Sequence, residues 1–427
     1  MKRRIGAAGL SAALLGPTSA QASPQEVLGF GYRSTAMGTT GAASAEGVDA
    51  VYHNPALLSR SRDTTLEIGF TAANFLLDAE GSGLVGRLPG YSSFTATTIG
   101  GLLPLPFEGV LKDRITLGVG FVTPTDVVVR GRILFPEKPQ VLLADRVQSV
   151  ALQGALGVDV GAGFRIGGGV AALAALEGTV TVATDASGRI GTVVEDTLVA
   201  SYAPLVGASY EWDDFRVGLA FRGELVGRFN VIINAENLAG LTIPPLNISG
   251  VAQYDPWQLA AEFAHDWGRL HWAVGLTYKH WPDYPGPIAP TVRCEDAANP
   301  EEGCMALQPT DPDYAPVVSP RTGFEYDTPL SPDVMARWRA GYAFEPTPAP
   351  EQRGLEGLYD MHRSVFSLGY GFDFDGALPM SLQGYGQAQW LHRRTHQKEV
   401  VQGAPVDGRV VTEGVIVAGG FSAGVKF

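Results

Sequence analysis

Polar and apolar positions alternate along "FRVGLAFRGELVGRF", residues 215–229. Phe215, Val217, Leu219, Phe221, Leu225 and Phe229 fall on one side, and Arg216, Arg222, Glu224 and Arg228 on the other. Side chains of a strand point to its two faces in turn, so this stretch predicts a strand with one greasy and one charged face. The split recurs in "SVFSLGYGFDF", where Phe366, Leu368, Tyr370, Phe372 and Phe374 oppose Ser367, Gly369, Gly371 and Asp373. It recurs in "QLAAEFAHDW", with Leu259, Ala261, Phe263 and Trp267 opposite Gln258, Glu262 and Asp266.

Two architectures use such strands. A soluble sandwich turns the apolar face inward and keeps its strands to about 5 or 6 residues. An outer-membrane barrel turns that face to lipid, keeps a polar interior and needs strands of about 10 residues or more. The segments here are long, continue to the end of the chain and are joined by tight turns such as "WDDF" and "DWGRL". After the first residues, no stretch of roughly 20 uncharged apolar residues offers a transmembrane helix. The expected fold is all-β: a transmembrane antiparallel β-barrel over 63–427, with about 14 strands because such barrels have even strand numbers. Trp212, Trp257, Trp267, Trp281 and Trp390 stand near strand ends, where an interfacial girdle belongs. Residues 283–332, rich in Pro and Asp, are expected to form a long extracellular loop, and residues 78–92 a second exposed segment.

The opening "MKRRIGAAGLSAALLGPTSAQA" has a basic start, a short apolar run and a small-x-small ending, which predicts a secretory signal over 1–22 cleaved before Ser23. Cleavage removes three basic residues and no acidic ones, taking the formal charge from −13 to −16. Such an acidic chain is not built for nucleic acid or an anionic surface. Export also places Cys294 and Cys304 in an oxidising compartment, where a close pair predicts one local disulfide. The pair has too few ligands nearby for zinc.

Between signal and barrel lies "EGVDAVYHNPALLS", residues 46–59, which reads differently. Asn54 suits a helix cap and Pro55 the first helical position. Residues 23–62 are therefore expected to form a small helical plug, since a barrel of this size encloses a lumen that must be filled or gated. Enzyme signatures are lacking. "GFSAG" at 420–424 matches a nucleophile elbow, yet only three residues follow it in this chain, leaving Ser422 without the helix and the partners that motif needs. His53, beside the expected cap, is read as a packing residue. No cofactor or metal motif appears.

The stretch "GFGYRSTAMGTTGAASAEGVDAVYHNPALLS" resembles the N-terminal hatch of the FadL/TodX family, outer-membrane transporters of long-chain fatty acids and other hydrophobic compounds. The match rests on Gly38, Gly41, Ala42, Asn54, Pro55 and Ala56, with Leu57 departing from the glycine many members have there. "DRITLGVGFVTPTDVVV" is similar to the family's third strand, and the likeness is clear over roughly the first 180 residues. The final "GGFSAGVKF", ending on Phe427, resembles the strand that outer-membrane barrels present to their insertion machinery.

The resemblance implies a passive route: capture of a hydrophobic molecule at the extracellular side, a pocket near the plug's N-terminus, and sideways release into the membrane where the third strand kinks. Pro124 either causes that kink, having no N–H for the ladder, or simply ends the strand. Phe30, Tyr32 and Met37 either touch ligand or pack the plug against the wall. Asn54, Pro55 and Ala56 are expected to fix the plug's turn. Arg216, Arg222, Glu224 and Arg228, on the charged face, either pair among themselves or one arginine meets a ligand's carboxylate through bidentate hydrogen bonds. The expected partners are hydrophobic small molecules and membrane lipid, and the expected state is a monomer. The alternative is a sealed barrel that docks surface or secreted proteins.

Overall fold

Strands with one greasy and one polar face can satisfy every backbone group in lipid only by closing on themselves. A computed structural model describes residues 23–81, 93–125, 129–131, 140–141, 147–184, 190–236, 246–284, 289–292, 311–353, 357–376, 378–398 and 408–427. Its long strands are β1 (Thr65–Gly81), β2 (Phe94–Pro104), β3 (Ile115–Pro124), β4 (Ala151–Gly161), β5 (Phe164–Thr184), β6 (Ile190–Trp212), β7 (Phe215–Arg222), β8 (Leu225–Glu236) and β9 (Leu246–Asp255). They continue with β10 (Gln258–Trp267), β11 (Leu270–Lys279), β12 (Val317–Ser331), β13 (Val334–Glu345), β14 (Arg363–Phe374), β15 (Met380–Gln397) and β16 (Arg409–Lys426). All but β8 and β9 pair antiparallel in sequence order, giving a wall of 14 strands. Strand β16 returns to β1 from Thr65↔Lys426 to Gly81↔Val410 and closes the barrel.

The faces sort as the alternation requires. Leu66 and Ile68 are more than half exposed toward lipid, while Glu67 between them is 8% exposed and faces the lumen. Phe366 and Leu368 point outward and Ser367 inward. The two-residue turns after β4, β6 and β10 begin at Ala162, Asp213 and Gly268 with φ of 51°, 48° and 64°. Tight hairpins need such left-handed positions. These turns share one end of the barrel with the chain terminus, where the Phe427 N–H donates to the Thr64 carbonyl at 2.8 Å. Short turns mark the periplasmic end of such barrels.

Four expectations need correction. The alternating segment 215–229 is not one strand: it breaks at Gly223 and Glu224, and β7 pairs directly with β10 from Phe215↔His265 to Arg222↔Gln258. The β8–β9 hairpin leaves the wall, and β8 runs parallel to the far half of β5, Phe229↔Leu176 to Glu236↔Ala183. Leu225 is accordingly buried beside Leu173 and Leu205 instead of facing lipid. Second, the loop expected to reach residue 332 ends earlier, because Val317–Ser331 is strand β12. Its prolines sit where a strand tolerates them: the ladder to β13 starts at Arg321, one residue after Pro320, and Pro329 adjoins a register shift. Third, β1 continues through Asp78 to Gly81, so the exposed segment starts later than expected. Fourth, Trp281 is 4% exposed and packs with Tyr254, Tyr284 and Tyr314, away from any girdle. Trp212, Trp267 and Trp390 do face outward, with Trp267 stacked on Trp272 at 5.8 Å. Residues 1–22, Cys294 and Cys304 lie outside the described residues.

The plug is made of short pieces: α1 (Pro24–Leu28), α2 (Tyr32–Ala36), α3 (Asp49–His53) and a 3₁₀ turn, Pro55–Arg60. Helix α2 packs on β13 to β16 and the 3₁₀ turn on β3 to β6, opposite sides of the closed wall, so the plug fills the lumen. Glycine makes that fit possible. A Cβ on Gly207 would collide with the Asn54 side chain, one on Gly218 with the Ala42 backbone, and one on Gly341 with the Gly38 backbone.

Candidate binding pocket and plug seat

Short plug helices cannot hold themselves together, so their stability comes from the wall. Asn54, fully buried and extended at φ −160°, stitches three segments together. Its Oδ1 accepts from the Ala56 N–H at 3.0 Å, and its Nδ2 donates to the carbonyls of Ala42 at 2.5 Å and Ala208 on β6 at 3.1 Å. The helical start read at Asn54 is therefore present as a capped 3₁₀ turn.

A second fastening comes from the wall. The carboxylate of Glu262 accepts from the N–H groups of Gly41, Ala42 and Ala43 at 2.7, 3.1 and 3.1 Å and from the Ser44 hydroxyl at 2.6 Å. The Gly/Ala-rich run of the hatch is thus a cradle of backbone donors around one buried carboxylate. Beside it, the Arg33 Nη2 lies 2.8 Å from Glu325, which also accepts from Arg339. Near the plug's N-terminus, Lys279 bridges Glu26 and Glu345, and Arg321 reaches Glu345 at 3.1 Å and the Thr39 carbonyl at 3.0 Å.

The sequence-predicted residues fall on this seat as follows. Phe30 is buried, stacks on Tyr52 at 5.2 Å and covers Gly120 of β3. Tyr32 lies over Gly69 and 5.9 Å from Tyr385, and Met37 meets Gly323 and Gly341. Each packs on a wall glycine. His53 contacts the Phe30 carbonyl through Nε2 at 2.9 Å, and burial, reinforced by the Arg222 charge, lowers its pKa to about 3. It is a neutral donor at ordinary pH. Burial pushes Asp49 up to about 6 although it accepts from the Ser34 N–H at 2.8 Å. Arg216, Arg222 and Glu224 do not pair with one another: Arg216 binds Asp266 at 2.9 Å, Arg222 binds Gln258 at 2.7 Å, and Glu224 accepts from Tyr254 at 3.1 Å. The Arg228 side chain lies outside the described residues. Ser422 sits within β16, paired with Gly69 and Gln383, and the strand continues past it to Lys426.

Pro124 is buried and is the last residue of β3, opposite Ala96 of β2. The β3–β4 ladder has already ended at Val122↔Ala151. Strand β4 then leaves β5 at Ala151↔Leu173, and from Leu176 onward β5 pairs with β8 instead. The wall changes partners here, and a pocket opens at the change. Its apolar side is formed by Ala151, Ala171, Ala203, Leu205 and Leu225. Its polar side brings together Ser23, Gln25, Gln153, Arg222, Gln253 and Asp255. Ser23, the first residue expected after signal cleavage, donates its backbone N–H to Asp255 at 2.6 Å. The free space is about 30 Å³, room for about two waters, so a ring or acyl chain enters only as the walls part.

The larger cavity, about 340 Å³, lies toward the short turns and is lined by charge, including Arg33, Arg60, Glu67, Arg337, Arg339 and Asp373. An apolar molecule gains nothing there. One group among the described residues has metal-ligating types in reach of each other, His271, Glu325 and Asp327. Its members are already engaged: His271 lies between Asp266 at 2.8 Å and Asp327 at 3.2 Å, and Glu325 holds two arginines.

A closed antiparallel wall of 14 strands, greasy outside, polar inside and filled by an N-terminal plug, defines an outer-membrane β-barrel. No family model matches the chain, and no curated protein matches its sequence. Among solved structures it is similar to a Pseudomonas aeruginosa FadL homologue, with a TM-score of 0.60 and 15% identity over 97% of this chain and 99% of that one. It is also similar to the P. putida toluene transporter TodX, with a TM-score of 0.56 and 15% identity over 94% of this chain and 99% of that one. The CymD monoaromatic hydrocarbon channel follows, with a TM-score of 0.56 and 14% identity over 94% and 98%. The fold is that of the FadL/TodX-type barrels, in agreement with the hatch resemblance. At this identity the likeness concerns fold, and residue roles rest on this chain's own geometry.

Proposed function

We propose that the protein is an outer-membrane passive transporter for hydrophobic compounds, exported with a signal cleaved before Ser23, inserted through its Phe427-terminated strand and working as a monomer. The observation that carries the reading is the pocket at the partner change of the wall, apolar on the side of Ala151, Ala171 and Leu205. A hydrophobic molecule caught at the extracellular mouth moves to this pocket beside the plug's N-terminus and leaves sideways near Pro124. Long-chain fatty acids and hydrocarbons both suit such a route, because each CH₂ kept out of water is worth about 0.8 kcal/mol. The charged cavity toward the periplasmic end supports lateral release over passage through the plug. The narrowness of the pocket favours a second reading, a sealed barrel that docks other proteins.

The test is uptake of labelled oleate, and of toluene in parallel, by cells lacking their own hydrophobic-compound transporter. They express either the native chain or Pro124→Ala. Uptake that falls in the variant supports both transport and the lateral exit. A correctly inserted barrel that moves neither compound rejects transport of these classes and leaves the docking reading.

A further inference from the structure

The plug seat and the pocket treat polar atoms differently. At the seat, the carboxylates of Glu262 and Glu325 are saturated with donors. In the pocket, five buried side-chain atoms have no hydrogen-bond partner among the described residues: the donors Gln25 Nε2, Arg222 Nη1 and Gln253 Nε2, and the acceptors Gln153 Oε1 and Gln253 Oε1. The three glutamines are 5%, 4% and 1% exposed. Buried polar groups are nearly always paired, and each one left unpaired destabilises the fold, so a concentration of them in one cavity marks where another molecule makes the missing bonds.

Resting on the transport reading, we infer that this pocket selects hydrophobic molecules bearing one uncharged hydrogen-bonding group, a hydroxyl above all, over bare hydrocarbons and over carboxylates. A hydroxyl both donates and accepts, matching a site that offers both kinds of atom. A hydrocarbon fills the apolar side of Ala151, Ala171, Ala203 and Leu205 and leaves all five atoms unpaired. A carboxylate serves the donors only, leaving the two amide oxygens facing a second anion. Asp255 beside it already holds the Ser23 nitrogen at 2.6 Å, the terminal ammonium once the signal is cleaved, so that cation is not free to pair with a carboxylate. The charge of Arg222 is already committed: its guanidinium lies 3.8 Å over the Tyr52 ring and 3.8 Å from Glu26. Sites that hydrogen-bond a substrate hydroxyl discriminate strongly against analogues without it.

Equilibrium dialysis of the purified full chain in detergent, against matched empty micelles, tests this with two sets of probes. One is toluene, p-cresol and p-toluate; the other is decane, 1-decanol and decanoate. In at least one set the hydroxyl member is expected to bind at least about tenfold tighter than both of the others, about the effect of one well-made hydrogen bond. Replacing both glutamines, Gln153→Leu with Gln253→Leu, is expected to collapse the ratio of hydroxyl to hydrocarbon binding to within about twofold. Hydrocarbon binding as tight as its alcohol in both sets overturns the inference and leaves transport standing, as does tightest binding of the carboxylate in both sets. A ratio that survives the double variant also overturns it. A folded barrel that binds none of the six probes removes the transport reading as well. The ordering in the native chain stands even if the double variant misfolds, which its heat-dependent gel migration reports.

Discussion

The plug touches the wall in two ways, and the contrast separates holding from binding. At the seat the carboxylates of Glu262 and Glu325 are each met by several donors, and backbone approaches glycine closely. Around Ser23, Gln25 and Gln253, alanines and leucines adjoin polar atoms without partners. A carboxylate met by several donors fixes one geometry, whereas polar atoms left unpaired around a cavity cost stability that a ligand's hydrogen bonds recover. The seat is the fixed part of the molecule and the pocket the part available to a ligand.

The largest expected effect breaks the seat. Glu325→Ala leaves Arg33 and Arg339 buried without their shared anion and is expected to cost about 3–5 kcal/mol, read as faster hydrogen exchange of residues 33–60. Next comes Asn54→Ala, which removes a cap and leaves the Ala56 N–H and the Ala42 carbonyl unpaired; about 2–3 kcal/mol of plug stability should go with it in the same assay. His53 sharpens the contrast through pH. Its folded pKa of about 3 lies below the unfolded value of about 6.5, so its contribution is intact above pH 6.5 and is lost as pH falls toward 3. At pH 5 the loss is about 2 kcal/mol. Asp49, raised to about 6, trends the opposite way as pH falls, so the measurement is the native chain minus His53→Asn, in which that trend cancels. The smallest effect belongs to the pocket. Gln253→Leu removes two unpaired atoms and is expected to leave thermal stability within about 0.5 kcal/mol of native or to raise it. A large loss there would place Gln253 in the seat and dissolve the contrast.

Much of the wall was legible because its signal is local. Leu66, Glu67 and Ile68 declare their faces by alternation alone, and Asn54-Pro55 declares a capped turn. What alternation does not carry is which sheet a strand joins. Residues 225–229 continue the pattern of β7, yet Gly223 lets the chain leave the wall, and Leu225 turns inward. Trp281 looked like a girdle residue because a tryptophan near a strand end reads the same whether it faces lipid or an aromatic cluster. Prolines at 320 and 329 disguised β12 as loop, since their tolerance depends on where the neighbouring ladder begins. The seat was hidden for another reason. Arg33 and Glu325 are 292 positions apart, and Glu262 was visible only as a polar residue on a lumen-facing side. Long-range pairs leave no spacing to read. The glutamines of the pocket carry no motif at all and became visible only as unpaired atoms around one cavity.

The most direct test of the account fills the pocket from the wall. Ala171, on β5 opposite Gln153, is 7% exposed and lines the apolar side. Ala171→Phe puts a ring where a ligand's ring would part the walls, and Ala171 makes none of the seat's side-chain hydrogen bonds. Uptake of labelled toluene and oleate is then expected to fall at least about tenfold in cells carrying a normally folded, normally abundant barrel. Undiminished uptake of both compounds by that folded variant would contradict passage through this pocket.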